Sequence, residues 1–178
     1  VIIHSIKMKK NITEKLKKGC LLIAEPTIVG DLSFNRSVIL LADYNQEGSI
    51  GFIINKPLKY TIHDLIPDID ARFKIYNGGP VEQDNLYFIH NRPDLISNST
   101  EISNGIYWGG DFESTKRLIN EGKISKNNIR FFLGYTGWDE KQLESEMENN
   151  SWIITTNSYE NKIIGKSATH FWKEQIME

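Results

Sequence analysis

One cysteine, Cys20, stands in 178 residues, so an internal disulfide is excluded, as is any zinc site built on a cysteine pair. The four histidines, His4, His63, His90 and His170, include no pair at the i, i+4 spacing that lets one helix face hold a metal. No apolar run approaches the roughly 20 residues that a membrane-spanning helix needs. The stretch Val1 to Ile6 is too short for the apolar region of a signal peptide, and lysines follow it rather than precede it. Together these absences lead us to expect a cytoplasmic chain with no membrane partner, no metal and no other cofactor. Nor does any glycine-rich stretch complete a phosphate loop, which needs a Lys-Ser/Thr pair or a third glycine opening a helix. A nucleophile elbow would carry serine between its glycines, where this chain has Thr136 between Gly134 and Gly137.

What remains is a single-domain composition with an uneven charge distribution. Residues 1–18 hold six lysines and one acid, whereas the other 160 residues carry 15 basic and 22 acidic side chains. We therefore divide the chain into a basic leader over 1–18 and one domain over 19–178. A solvated terminal arm is the plain reading of the leader, and an arm that touches nucleic acid or an anionic membrane is the alternative.

The apolar runs predict strands at 20–24, 37–43, 49–55, 73–76, 86–90, 106–108, 129–133 and 152–156. The second and third form a hairpin across Tyr44 to Gly48, and their unbroken apolar character predicts burial on both faces. Residues 11–18 read as a short helix ended by Gly19. Short helices are also predicted at 63–66 behind a Thr61 cap, at 111–120 behind Asp111, and at about 139–149 behind an Asp139/Gln142 capping box. A last one follows Ser167 and carries Phe171, Trp172 and Ile176. Residues 26–36 and 91–101 read as loops. The order predicts an α+β fold with largely antiparallel pairing.

Among residue types that carry chemistry, Cys20 opens an apolar strand and reads as a small buried hydrophobe. Glu140, Glu144 and Glu148 fall on one helical face, the usual pattern of a solvated stripe. His90 ends a strand near Gly78-Gly79-Pro80, and paired with a carboxylate it could serve acid–base catalysis; a purely structural histidine is the alternative. The Gly78-Gly79-Pro80 turn could also form a nest of amides for an anion, although Pro80 removes one donor. Arg36 and Lys56 flank the two strands of the predicted hairpin at the ends far from its turn. Antiparallel pairing should therefore bring Arg36 to Asn55-Lys56-Pro57. Such a corner could bind an anion or a partner's carboxylate, or it could close on Asp31 or Glu25 internally.

Several segments, in this order, resemble the YqgE/AlgH family of bacterial proteins. They are Leu21-Leu-Ile-Ala24-Glu-Pro26, Phe34-Asn-Arg36-Ser37-Val38, Gly48-x-x-Gly51-Phe-Ile-Ile-Asn55-Lys56-Pro57, Gly78-Gly79-Pro80-Val81 and Gly134-Tyr-x-Gly137-Trp138-x-x-x-Gln142-Leu143-Glu144. The resemblance runs from about Gly19 to Trp152. It implies an unusual α+β fold of bifurcated, coiled sheets with flanking short helices. It implies no reaction, although one branch of the family carries a transcriptional-regulator label. The resemblance also implies departures: many members of that family have a histidine where Tyr44 stands. Many also read Trp-x-Pro-Gly-Gln-Leu where this chain reads Trp138-Asp139-Glu140-Lys141-Gln142-Leu143.

No complete catalytic constellation can be written from these residues. The sequence thus favours a non-enzymatic regulatory or binding protein whose partner is a protein or a small anionic ligand. Its expected contact residues are Arg36, Asn55, Lys56, Gly78, Gly79, Pro80 and Trp138. The competing reading is a small hydrolase or transferase using His90. A third is direct nucleic-acid binding through the lysines of residues 7–18, which the acidic body disfavours.

Overall fold

Residues 15–25 and 35–177 are described by the structure, a computed structural model. The leader up to residue 14 and the loop over 26–34 lie outside the described residues, and with them the first half of the helix predicted at 11–18; in its second half only Lys15 is helical, and the chain then bends and turns into Gly19.

The hairpin forms as its apolar runs demand. β2 (Val38–Asn45) and β3 (Gly48–Ile53) pair antiparallel from Asn45↔Gly48 to Ile39↔Ile53. β1 (Leu21–Ala24) lies on the other edge of β2, and β10 (Trp152–Thr155) closes that side. Beyond β3 comes β9 (Ile129–Asp139), then β6 (Val81–His90), β8 (Ile106–Trp108) and β7 (Thr100–Ser103). β4 (Pro57–Thr61) and β5 (Lys74–Asn77) form a side branch, with β5 running parallel to β9. Flanking helices are short: α1 (Ile62–Leu65), α2 (Phe112–Asn120), α3 (Gln142–Glu148) and α4 (Phe171–Met177), with a 3₁₀ segment at Glu160–Gly165. The fold is α+β, with the largely antiparallel, forked sheet that the resemblance implied.

The fork lies in β9. One edge of this strand follows β6 from Ile129↔His90 to Tyr135↔Val81. Its other edge changes partner midway, pairing with β5 at Phe131–Leu133 and with β3 at Thr136–Asp139. Gly78 sits in the wedge between the branches. Its N–H donates to the Leu133 carbonyl at 2.8 Å, while its own carbonyl accepts from Ile53 N–H at 2.9 Å and from the Thr136 hydroxyl at 3.2 Å.

Alternation along β1–β3 sends side chains to two cores. Leu21, Ile23, Val38, Leu40, Phe52 and Ile54 face one that includes Tyr76, Phe132, Ile163 and Phe171. Leu22, Ile39, Leu41 and Ile53 face another with Trp138, Leu143, Met147 and Trp152. A third core lies under α2, around Phe88, Leu118 and Phe131.

Several boundaries differ from the sequence expectation for physical reasons. β9 continues through Gly134 and Gly137 to Asp139 because its later residues have β3 as a partner, which local propensity cannot reveal. β6 starts at Val81, five residues early, on the same account. β7 (Thr100–Ser103) starts inside the predicted loop and runs past its end, and β4 and the 3₁₀ segment have no counterpart among the predicted elements. Asp139 does not cap α3. The Gln142 side chain accepts from Asp139 N–H at 2.9 Å, but the N-cap is Lys141, in left-handed conformation at φ 62°. Thr61, by contrast, caps α1 with a reciprocal Asp64 box.

Candidate functional site

The corner anticipated from hairpin geometry forms. Asn55 ties it: its carbonyl oxygen accepts from Val38 N–H at 2.9 Å, and its amide nitrogen donates to the Arg36 carbonyl at 2.8 Å. Both ends of the Asn55 amide are thus spent on the backbone of the neighbouring strand. Lys56 Nζ donates to the Asn35 carbonyl at 2.5 Å. Arg36, at φ 57°, turns its exposed guanidinium over the Trp172 ring of α4, 5.6 Å from the centroid. Partial burial, and then the Arg36 charge beside it, push the Lys56 ammonium below its ordinary value. Glu25 is described and forms no recorded ion pair with this corner; Asp31 lies outside the described residues.

Gly78 and Gly79 are buried at the fork, with Pro80 exposed at the start of β6. They adjoin the corner through the backbone, since Asn77 N–H donates to the Lys56 carbonyl at 2.8 Å. Gly78 spends its N–H and carbonyl on neighbouring strands, and Gly79 N–H goes to the Asn77 side chain at 3.2 Å. Trp138 is not part of this neighbourhood. It packs in the second core, edge-on to Trp152, and both indoles donate to one Glu146 carboxylate oxygen, at 3.4 and 3.1 Å. Of the expected contact residues, the structure gathers Arg36, Asn55, Lys56 and, just behind them, Gly78. Trp138 is turned to another face of the sheet.

His90 is fully buried on β6 and stacks near Tyr107. Its Nδ1 accepts from Arg92 N–H at 3.1 Å, which leaves Nε2–H to donate to the Gly109 carbonyl, also at 3.1 Å. Both ring nitrogens are consumed by backbone, and burial pushes the imidazole below its usual range. A general base needs a free nitrogen facing a substrate, and His90 offers none here. Cys20 is buried, and burial raises its thiol above the ordinary value. The acidic stripe of α3 is more than a solvated face: Tyr44 donates its hydroxyl to Glu144, and desolvation together with that carboxylate pushes Tyr44 up to about 12. Among the described residues no group of three His, Cys, Asp or Glu side chains is arranged to hold a metal. Among them, too, no helix is long and apolar enough to cross a membrane.

The residue that sequence reasoning missed is Arg130. It lies within the apolar run Ile129–Leu133, where a lone charge in a strand expected to be buried was the available signal. Arg130 is only 4% exposed. Its Nη1 donates to the Ile164 and Lys166 carbonyls at 2.9 and 2.8 Å, and its Nη2 to Ile54 at 2.6 Å. Tyr76 supports the guanidinium from below, with 3.8 Å between its ring centroid and the guanidinium carbon. The buried Nε has no partner among the described residues. Burial lowers its pKa to about 10, which still leaves the group charged at neutral pH.

Comparison with known proteins gives a consistent result. Residues 21–178 match the family described as AlgH-like, so the similarity extends past Trp152 through the 3₁₀ segment and α4. A UPF0301 protein of Cytophaga hutchinsonii is 42% identical over 163 residues, covering 90% of this chain and 88% of that one. A UPF0301 protein of Bacteroides fragilis is 39% identical, covering 89% and 81%. Among solved structures, a Corynebacterium diphtheriae protein superposes with a TM-score of 0.74 at 19% identity, covering 90% of this chain and 85% of that one. The AlgH protein from Pseudomonas aeruginosa gives 0.71 at 24% identity, with coverages of 90% and 86%. At those identities the two structures speak to the fold.

Proposed function

The chain belongs to the AlgH-like family, and on that premise we propose that it is a non-enzymatic regulatory protein that docks an anionic group of a partner protein at the Arg36–Asn55–Lys56 corner. The observation that carries this reading is the way Asn55 is used. Its side chain ties the end of β3 to the backbone at the start of β2 and so brings Arg36 and Lys56 to one edge, where burial and then the neighbouring Arg36 charge make the Lys56 charge costlier. Such an arrangement favours an incoming carboxylate or phosphate. The engagement of both His90 nitrogens by backbone supports binding over hydrolysis.

Regulation of transcription, if it is this protein's task, would then act through a protein partner. Direct DNA contact would draw on the lysines of residues 7–18, and one of these, Lys18, already reaches back to the Glu101 carbonyl at 3.3 Å. We place the protein in the cytoplasm, because a lone, buried thiol suits a reducing compartment. The test is an affinity capture from cell extract with the wild-type chain and with Arg36→Glu/Lys56→Glu. The double reversal should abolish recovery of the partner while moving the thermal midpoint little. Equal recovery by both proteins would refute the proposed contact, and a shift of DNA mobility at low salt would favour the nucleic-acid reading.

A further inference from the structure

A second basic site lies between β5, the start of β9 and the end of the 3₁₀ segment. There a cavity of about 340 Å³ is lined by Arg72, Lys74, Lys126, Arg130 and Lys166, with Ser167 beside them. No carboxylate belongs to its described lining. Glu174 pairs with Lys166 at 3.0 Å from α4, and so offsets one of the five charges. We propose that this cavity binds a small, multiply charged anion, a metabolite bearing phosphate or several carboxylates. The inference concerns a different set of residues from the Arg36–Lys56 corner and does not rest on the regulatory reading.

Arg130 carries the argument. A buried cation is ordinarily matched by a buried anion, because removal from water is costly and hydrogen bonds alone do not cancel the charge. Among the described residues Arg130 is held by four carbonyls, those of Ile54, Ile163, Ile164 and Lys166, and by a ring face, so its hydrogen bonds are largely met and its charge is not. The carbonyls come from two separate elements, the end of the 3₁₀ segment and Ile54 just beyond β3. They fix the guanidinium before any ligand arrives. Around it, Arg72, Lys74 and Lys126 are exposed at the rim. A cationic floor in a low-dielectric interior beneath a cationic rim focuses the field into the cavity. Tyr76, Ile129 and Ile164 add a partly apolar wall. The volume sits near the lower limit for ligand cavities, which suits a compact metabolite rather than a dinucleotide.

The probes are pyrophosphate and citrate, titrated calorimetrically into the full chain. We expect one-to-one saturable binding of at least one of them below about 1 mM. In Lys74→Glu/Lys126→Glu the affinity should fall at least about tenfold, and in the wild type it should weaken as salt is raised. Both positions are exposed, so the variant should fold; Lys126→Ala, with a loss of about threefold, is the milder substitute. Arg36→Glu/Lys56→Glu should leave the titration unchanged, which separates this site from the docking corner. Pyrophosphate alone would identify a phosphate site, citrate alone a polycarboxylate site, and both a site that reads charge and size. Absence of saturable binding by either probe would overturn the proposal, as would equal affinity in Lys74→Glu/Lys126→Glu and wild type.

Discussion

A Cβ atom added to Gly78 would stand 2.3 Å from the carbonyl oxygen of Gly134, and one added to Gly134 would stand 2.4 Å from the carbonyl oxygen of Gly79. These glycines are mutually required because three strand backbones meet where β9 changes partner. Gly134 also has φ 75°, so a side chain there meets both a steric wall and an unfavourable backbone region.

The stability cost should therefore be confined to the fork. Gly78→Ala and Gly134→Ala should each lose about 3 kcal/mol or more, from overpacking against backbone that cannot yield. Gly122→Ala has positive φ but nothing within 4 Å, and should lose only about 1–2 kcal/mol. Urea denaturation of the three variants checks the ordering.

Lys141 offers a test of the opposite sign. It adopts φ 62° at the α3 N-cap. Lys141→Gly should raise stability by about 0.5–1 kcal/mol, relief of left-handed strain exceeding the added chain entropy of glycine. A thermal midpoint below that of the wild type would contradict this.

Asn55 should be costly to lose. Removal of its amide strands the Val38 N–H and frees the Arg36 carbonyl, and Asn55→Ala is expected to cost about 2–3 kcal/mol. Hydrogen exchange at the Val38 amide should accelerate well before exchange at Leu40, which keeps its strand partners on both sides.

The pH dependence follows from His90. Burial depresses its folded-state pKa below the ordinary value of 6.5, so the unfolded chain takes up the proton first as pH falls. The stability contributed by neutral His90 is complete above about pH 6.5 and is lost as pH drops through the lower folded value. His90→Gln should be less stable than wild type at pH 8 but should flatten this limb. Denaturation midpoints at half-unit intervals between pH 8 and 4.5 read the difference.

Much of the frame could be read before any coordinates. Unbroken apolar runs located β1, β2, β3 and β10, and the hairpin argument brought Arg36 to Asn55 and Lys56, because antiparallel pairing is local and alternation is strict. What stayed hidden depended on distant partners. The second half of β9 is a strand because β3 lies beside it, and the 3₁₀ segment contributes the carbonyls that hold Arg130 although it lies more than thirty residues further along the chain. Trp138 is conspicuous in sequence, yet which face it takes depends on a strand continuing through Gly137. Gly78-Gly79-Pro80 reads as a simple turn in the sequence, whereas in the structure Gly78 and Gly134 mark the place where strand backbones approach closely.

Because β9 is the shared seam of both branches, the order of synthesis matters. A ribosome releases β1 to β6 before residues 129–139 exist, so β3, β5 and β6 must wait with open edges for a strand that comes tens of residues later. Neither branch can be completed alone, and the nascent chain should remain vulnerable to aggregation and dependent on chaperones until β9 emerges. Truncation before Ile129 should then leave no stable half, whereas a chain ended after Asp139 should already protect the β6–β9 amides from exchange.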